Sequence, residues 1–230
     1  MRRTIRSTTL SMAPTDLSLT LAGLFDAERA ARRAHDELVV ADPAQVLALL
    51  ATTTRKALAL DAIDEDEASL RLMRIAGVLG EMQGAGVVDL LIDILGCDEP
   101  EARGAAGEAL SGLAFDRFKE VALGVERALE RMPDGSPALA ELPYLLIDVP
   151  EASVIKLLGR FLAHRDADAV AAAIEALVEL GDPSAIPLLD KLRGDSRRVQ
   201  LEDEGGTEGD ASIAELAAEA RGLLAPEAPT

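Results

Sequence analysis

The chain has 230 residues, 49% of them hydrophobic but only 2% aromatic, with no Trp; a core of Leu, Ala, Val and Ile suits packed helices better than a β-sandwich. A formal net charge of −18 argues against the basic footprint that general DNA or RNA binding requires, and against anionic membrane surfaces. Cys97 is the single cysteine, which excludes an internal disulfide and reads as a small hydrophobe near a helix end.

Arg2, Arg3 and Arg6 open the chain, but Thr8, Thr9, Ser11 and Pro14 interrupt the apolar core that a secretory signal needs. Residues 1–14 read as a disordered tail of a cytoplasmic protein. No apolar run approaches the ~18 residues of a membrane span. Residues 15–62 read as a helix pair. The first helix, about 16–40, carries Leu17, Leu21, Leu24, Ala31 and Leu38 on one stripe. Asp42-Pro43 breaks it, and the second, about 44–60, turns Val46, Leu49, Leu50 and Thr53 inward. Asp61 and the run Asp64, Glu65, Asp66, Glu67 then place negative charge where the next helix begins, complementing its dipole.

Residues 63–195 repeat. Leu79, Leu110, Leu146 and Leu177 recur at steps of 31, 36 and 31. Eleven and twelve residues beyond these anchors lie Leu90 and Leu91, Val121 and Ala122, Leu157 and Leu158, Leu188 and Leu189. Nine beyond lie Val88, Lys119, Ile155 and Ile186, so the second unit breaks the pattern, and Phe115 and Phe118 imply a shifted register there. Four helix pairs follow: 66–82 with 87–95, 100–113 with 116–131, one starting at Pro137 behind Ser136 and partnered by 151–164, and 167–180 with a final short helix. Pro143 is expected to kink or divide its helix, because it removes a hydrogen bond and crowds the preceding turn. Val170, Ile174, Leu177 and Val178 form one stripe of the last pair; Ala185, Leu188, Leu189 and Leu192 form the other. Gly181 supplies the left-handed stop between them, and Asp182 or Ser184 the next cap.

The phrase Gly181-Asp182-Pro183-Ser184-Ala185-Ile186-Pro187 resembles the inter-helix signature of HEAT-like repeats, especially the bacterial class named after phycobilisome lyases. The break Ala41-Asp42-Pro43-Ala44 echoes it, which makes the N-terminal pair a candidate diverged repeat. The resemblance covers residues 66–195 and implies an all-α, right-handed α-α superhelix (a HEAT/armadillo-like solenoid). It also implies a non-catalytic scaffold or adaptor that binds a protein or peptide partner on its concave face. Beyond it, 196–211 read as a small β-hairpin or loop insertion near the C-terminus. Residues 212–225 read as a capping helix opened by a Ser212/Glu215 capping box, whose Ile213, Leu216, Ala217 and Leu223 cover the last repeat.

Catalysis finds little footing. His35 and His164 lie in separate helices without zinc spacing. The HEAT-like deoxyhypusine hydroxylases bind iron through repeated His-Glu pairs, whereas here His35 precedes Asp36 and His164 precedes Arg165. The HEAT-like alkylpurine DNA glycosylases use a basic, aromatic-bearing face that this acidic, Trp-free chain lacks. Segment 204–215 imitates a calcium loop but fails at Glu204 and Gly206. The expectation is therefore no catalytic residue, no metal and no cofactor. The alternative is an accessory or catalytic subunit of a bilin-lyase-like enzyme, against which the scarcity of aromatics weighs.

In such solenoids the second helices line the concave face. Ten residues beyond the anchors come Asp89, Glu120, Lys156 and Pro187, and fourteen beyond come Asp93, Gly124, Arg160 and Lys191. Positions four apart share a helix face, so Asp89, Asp93, Glu120, Lys156, Arg160 and Lys191 are the candidate partner-binding residues. They predict a strip running from acidic to basic, suited to a ligand of opposite charge order. Neither nucleic acid nor membrane is expected as partner, and the oligomeric state is left open.

Overall fold

A computed structural model describes residues 17–202 and 208–225; the expected disordered tail, 1–14, lies outside the described residues. The chain divides into two compact units, Met1–Ala41 and Asp42–Thr230, so the two helices expected to pair fall in different units. In the first, α1 (Leu17–Val40) has no buried residue. Its apolar stripe is present but Leu17, Leu21 and Leu24 are exposed. Ion pairs one turn apart, Arg29 with Asp26 and Arg32 with Glu28, support it locally.

The second unit begins with α2 (Pro43–Leu58), capped by the Asp42 carboxylate, which accepts from the Gln45 amide at 2.9 Å. Val46, Leu50, Thr54 and Ala57 are buried. The stripe is thus rotated from the expected one: Leu49 is exposed, and Thr54 replaces Thr53 inside. Four helix pairs follow. They are α3 (Glu65–Glu81) with α4 (Ala85–Leu95), the two halves of α5 (Pro100–Arg131), α6 (Pro137–Ile147) with α7 (Val154–Phe161), and α8 (Ala167–Leu180) with α9 (Ile186–Leu189). The first helices pack in one layer, α3 on α5, α5 on α6, α6 on α8, and the second helices in another, α4 on α5 and α5 on α7. This unit is an all-α repeat solenoid. Leu79, Leu110, Leu146 and Leu177 occupy equivalent sites between the layers, each at most 1% exposed. Burying a leucine so completely contributes about 1.5–3 kcal/mol, which no helix pair obtains without its neighbours.

Three boundaries differ from expectation. Where a loop was expected near residue 115, α5 runs on, interrupted only at Arg117 (φ −141°, ψ 47°). α6 passes through Pro143 undivided, with Pro143 buried among its apolar neighbours; the packing around the ring outweighs the missing hydrogen bond. The second helix of the fourth pair is not one helix but a succession of short turns, 3-10 at Pro183–Ala185 and Asp190–Leu192 flanking α9, in keeping with prolines at 183 and 187 that cannot donate. Gly181 does stop α8 in the left-handed conformation (φ 68°), its amide reaching the Leu177 and Val178 carbonyls, and Asp182 caps the next turn through the Ser184 amide.

At the C-terminal end, β1 (Arg198–Glu202) and β2 (Glu208–Ser212) pair antiparallel with Val199 opposite Ala211. Then α10 (Ile213–Leu224) packs on α8. The Ser212/Glu215 capping box is complete: the Glu215 amide donates to Ser212 Oγ, and the Ser212 amide donates to the Glu215 carboxylate at 2.7 Å. Ile213 and Ala217 are buried as expected, but Leu223 is exposed and Leu224 takes the inner place. Arg197 ties this end to the third pair, donating to the His164 and Arg165 carbonyls at 2.7 and 2.8 Å while Asp195 grips it from the other side. No described helix is long and apolar enough to cross a membrane.

Candidate functional site on the second helices

The burial pattern fixes which residues of the second helices face outward. Eight, twelve and fifteen residues beyond the anchors, Val87, Leu91 and Ile94 are buried in the first pair; so are Val154, Leu158 and Phe161 in the third, and Ala185, Leu189 and Leu192 in the fourth. In the second pair the buried trio is Val121, Val125 and Ala128, each three residues later. The longer first half of α5 is the cause: with no loop after Leu113, helix continues for most of another turn before the chain breaks direction at Arg117. The register expected from spacing alone is therefore corrected by three residues in this pair. Leu123 and Arg127, not Glu120 and Gly124, take the outward places.

Gly124 is buried against α4, where a Cβ would lie 2.3 Å from Val88 Cγ1. Glu120 serves the turn between α3 and α4. It accepts from the Gly84 amide at 2.9 Å and sits 3.5 Å from Arg117, whose guanidinium also donates to the Met82 carbonyl. Most of the remaining charged candidates are bridged between repeats. Arg127 Nε donates to both Asp89 oxygens at 3.0 and 3.2 Å, Arg131 pairs with Asp93, and Arg160 lies 3.0 Å from Glu126. Each member of these pairs is one-third to one-half exposed, so every bridge contributes modestly, about 0.2–1 kcal/mol. Their arrangement matters more: successive second helices are laced edge to edge. The acidic end of the expected strip is consequently neutralised by Arg127 and Arg131, two residues that spacing did not single out. Lys156 and Lys191 are exposed and have no ion pair among the described residues.

Among the described residues, hollows open on these helices. One of about 720 Å³ lies between the second half of α5 and the approach to α7, lined by Phe118, Lys119, Ala122, Leu123, Glu151 and Ser153 among others. Leu123 is 49% exposed in it. A second, about 250 Å³, lies between α7 and the turns after it, lined by Gly159, Leu162, Leu188 and Lys191. The first joins an apolar floor to a rim of both signs, Arg117 and Lys119 beside Asp116, Glu120 and Glu151, and the second joins an apolar floor to Lys191.

Among the described residues no group of His, Cys, Asp and Glu could hold a metal ion. His164 is structural: Nδ1 accepts from the Asp166 amide at 3.1 Å, which leaves Nε2–H to donate to the Leu129 carbonyl at 3.0 Å. Cys97 is half-buried after α4, and burial pushes its thiol pKa up, away from the thiolate that reactivity requires.

No protein-family model matches the chain, and no curated protein does. Engineered proteins are among the solved structures similar to it. One is 20% identical, with 86% of this chain and 91% of that chain covered and a TM-score of 0.35. A computationally designed armadillo repeat protein for modular peptide recognition is 15% identical over 86% of this chain and 92% of its own, TM-score 0.31. A designed armadillo repeat protein in complex with the peptide (KR)4 is 16% identical over 84% and 92%, TM-score 0.32. These likenesses do not show the phycobilisome-lyase type of repeat, and likeness at such TM-scores does not extend to the geometry of a binding face.

Proposed function

We propose that the second-helix face is a docking surface for a protein or peptide and that the chain acts as a non-catalytic scaffold or adaptor. The observation that carries this reading is the 720 Å³ hollow in which Leu123 stands half-exposed beside Lys119. An apolar ledge suits an apolar side chain, and its rim carries both signs, Arg117 and Lys119 beside Asp116, Glu120 and Glu151, so the charge preference of the face rests on its unpaired lysines. With Asp89 and Asp93 occupied by arginines, the free charges of the original candidate set are Lys156 and Lys191. The partner segment is accordingly acidic and apolar, a narrower chemistry than an opposite charge order along the whole strip. Asp89, Asp93, Glu120 and Arg160 act in this reading by holding the helices in register.

Selection of a displayed peptide library on the purified protein, followed by binding isotherms of the selected peptides, tests it. Peptides with Leu, Ile or Phe beside Asp or Glu are expected. Their affinity should fall about tenfold or more, some 1.4 kcal/mol, in Leu123→Asp and in the Lys156→Glu/Lys191→Glu pair. Selected peptides that bind these variants as tightly as the parent would overturn the assignment.

A further inference from the structure

The opposite layer carries its own hollow, about 330 Å³, between α8 and α10. Ile174 and Val178 of α8 form one wall, and Leu216, Ala220 and Leu223 of α10 the other. These residues recur at i, i+4 and at i, i+4, i+7, so the apolar surface is a channel running along the helices. Leu223 is 66% exposed in it. The rim is acidic: Glu175 and Glu179 on α8, Glu219 on α10, with no Lys or Arg among the lining residues.

At several other seams between elements carboxylates are matched by arginines: Glu141 by Arg103, Asp89 by Arg127, Glu126 by Arg160, Asp190 by Arg221. At the α8–α10 seam Glu179 and Glu219 are exposed and have no ion pair among the described residues, and Glu175 takes the Tyr144 hydroxyl. The seam thus presents an apolar channel, negative edges and no cation of its own.

We propose that this channel docks an amphipathic helix of a partner protein, one whose apolar stripe is flanked by Lys or Arg. A helix laid along the seam places residues at i, i+3, i+4 and i+7 into the channel, and its flanking cations meet Glu175, Glu179 and Glu219. The site is separate from the second-helix face in position and opposite to it in charge preference.

A fluorescein-labelled leucine–lysine peptide of helical periodicity is the probe, read by anisotropy, with a leucine–glutamate peptide of the same spacing as comparison. The cationic probe should bind saturably and the anionic one not. Affinity should drop about tenfold or more in Leu223→Ser and in Glu179→Lys/Glu219→Lys; these side chains are exposed, so circular dichroism should be unchanged. Because the whole chain is acidic, Glu65→Lys/Asp66→Lys serves as the charge-matched control and should bind like the parent. Equal losses in the two double variants would mean non-specific attraction and overturn the proposal. So would binding that Lys156→Glu/Lys191→Glu alters but Leu223→Ser does not, or a Leu223-dependent dimer in sedimentation, which would make a second copy the occupant.

Discussion

Arg127, in the second half of α5, grips both carboxylate oxygens of Asp89 on α4, 38 residues earlier, and also donates to the Ala85 carbonyl at 3.2 Å. One side chain so placed spans two repeats and meets both a charge and a helix N-terminus. In a double-mutant cycle with Asp89→Ala and Arg127→Ala, chemical denaturation should return a coupling energy of about 0.5–1 kcal/mol, modest because both groups are one-third exposed. Additive single effects would show that the bridge is ornamental.

Gly124 tests the packing of the same two helices. Ordinarily alanine is favoured over glycine inside a helix by about 0.5–1 kcal/mol. Here its Cβ would lie 2.3 Å from Val88 Cγ1 and 3.0 Å from Val88 Cβ, both on a helix that cannot withdraw without disturbing Leu91 and Ile92. Overpacking should win, and Gly124→Ala should destabilise by about 1–3 kcal/mol. Adding Val88→Ala should recover part of the loss. A stabilised Gly124→Ala would mean the second helices are not this close.

How much of this was legible in the sequence follows from what each residue depends on. Leu79, Leu110, Leu146 and Leu177 were readable because each sits in a helix whose own periodicity points it inward, and Gly181 because its stop is local. The outward register of the second pair was not, since it depends on whether α5 breaks after Leu113 or continues to Arg117, a choice made by packing. Val121, Val125 and Ala128 at i, i+4, i+7 carried the signal, and Lys119 at an expected inner position was the warning. Leu49 and Leu223 were misplaced for a related reason: in short, Leu- and Ala-rich helices several stripes compete, and only the neighbouring element selects one. The arginine lacing was hidden because its partners lie 34 to 38 residues apart, a separation that spacing within one helix cannot reveal.

Acid should loosen the C-terminal end. The Arg197 guanidinium, hydrogen-bonded to Asp195, holds that carboxyl below the usual carboxylate range. A depressed folded-state pKa means that the stabilisation is complete above the unfolded value, near 3.9, and is lost as pH falls through the lower folded value. Asp195→Asn should therefore be less stable than the parent at neutral pH, with the difference shrinking below about pH 4, as followed by denaturation at each pH. A gap independent of pH would contradict the pairing.

Tyr144 gives a test at the alkaline end. Burial, then the hydrogen bond to Glu175 and the negative charge of Glu175 and Glu179, push its phenol well above the usual range. The neutral phenol is the form the fold favours, so its contribution is present below about pH 10 and is lost as pH rises through the raised value. It is the single tyrosine and there is no Trp, so phenolate absorbance reports it directly. That absorbance should stay absent in the native protein at pH 10, and Glu175→Gln should shift its appearance downward. Native titration at about pH 10 would show that Tyr144 does not meet Glu175.

The docking role of the second helices is tested most directly by hydrogen exchange of the protein with and without a selected acidic, apolar peptide. The account predicts added protection in α7 and in the second half of α5, around Leu123, with α3 and α6 unchanged. Protection confined to the first-helix layer, or absent while the peptide is bound, would contradict it.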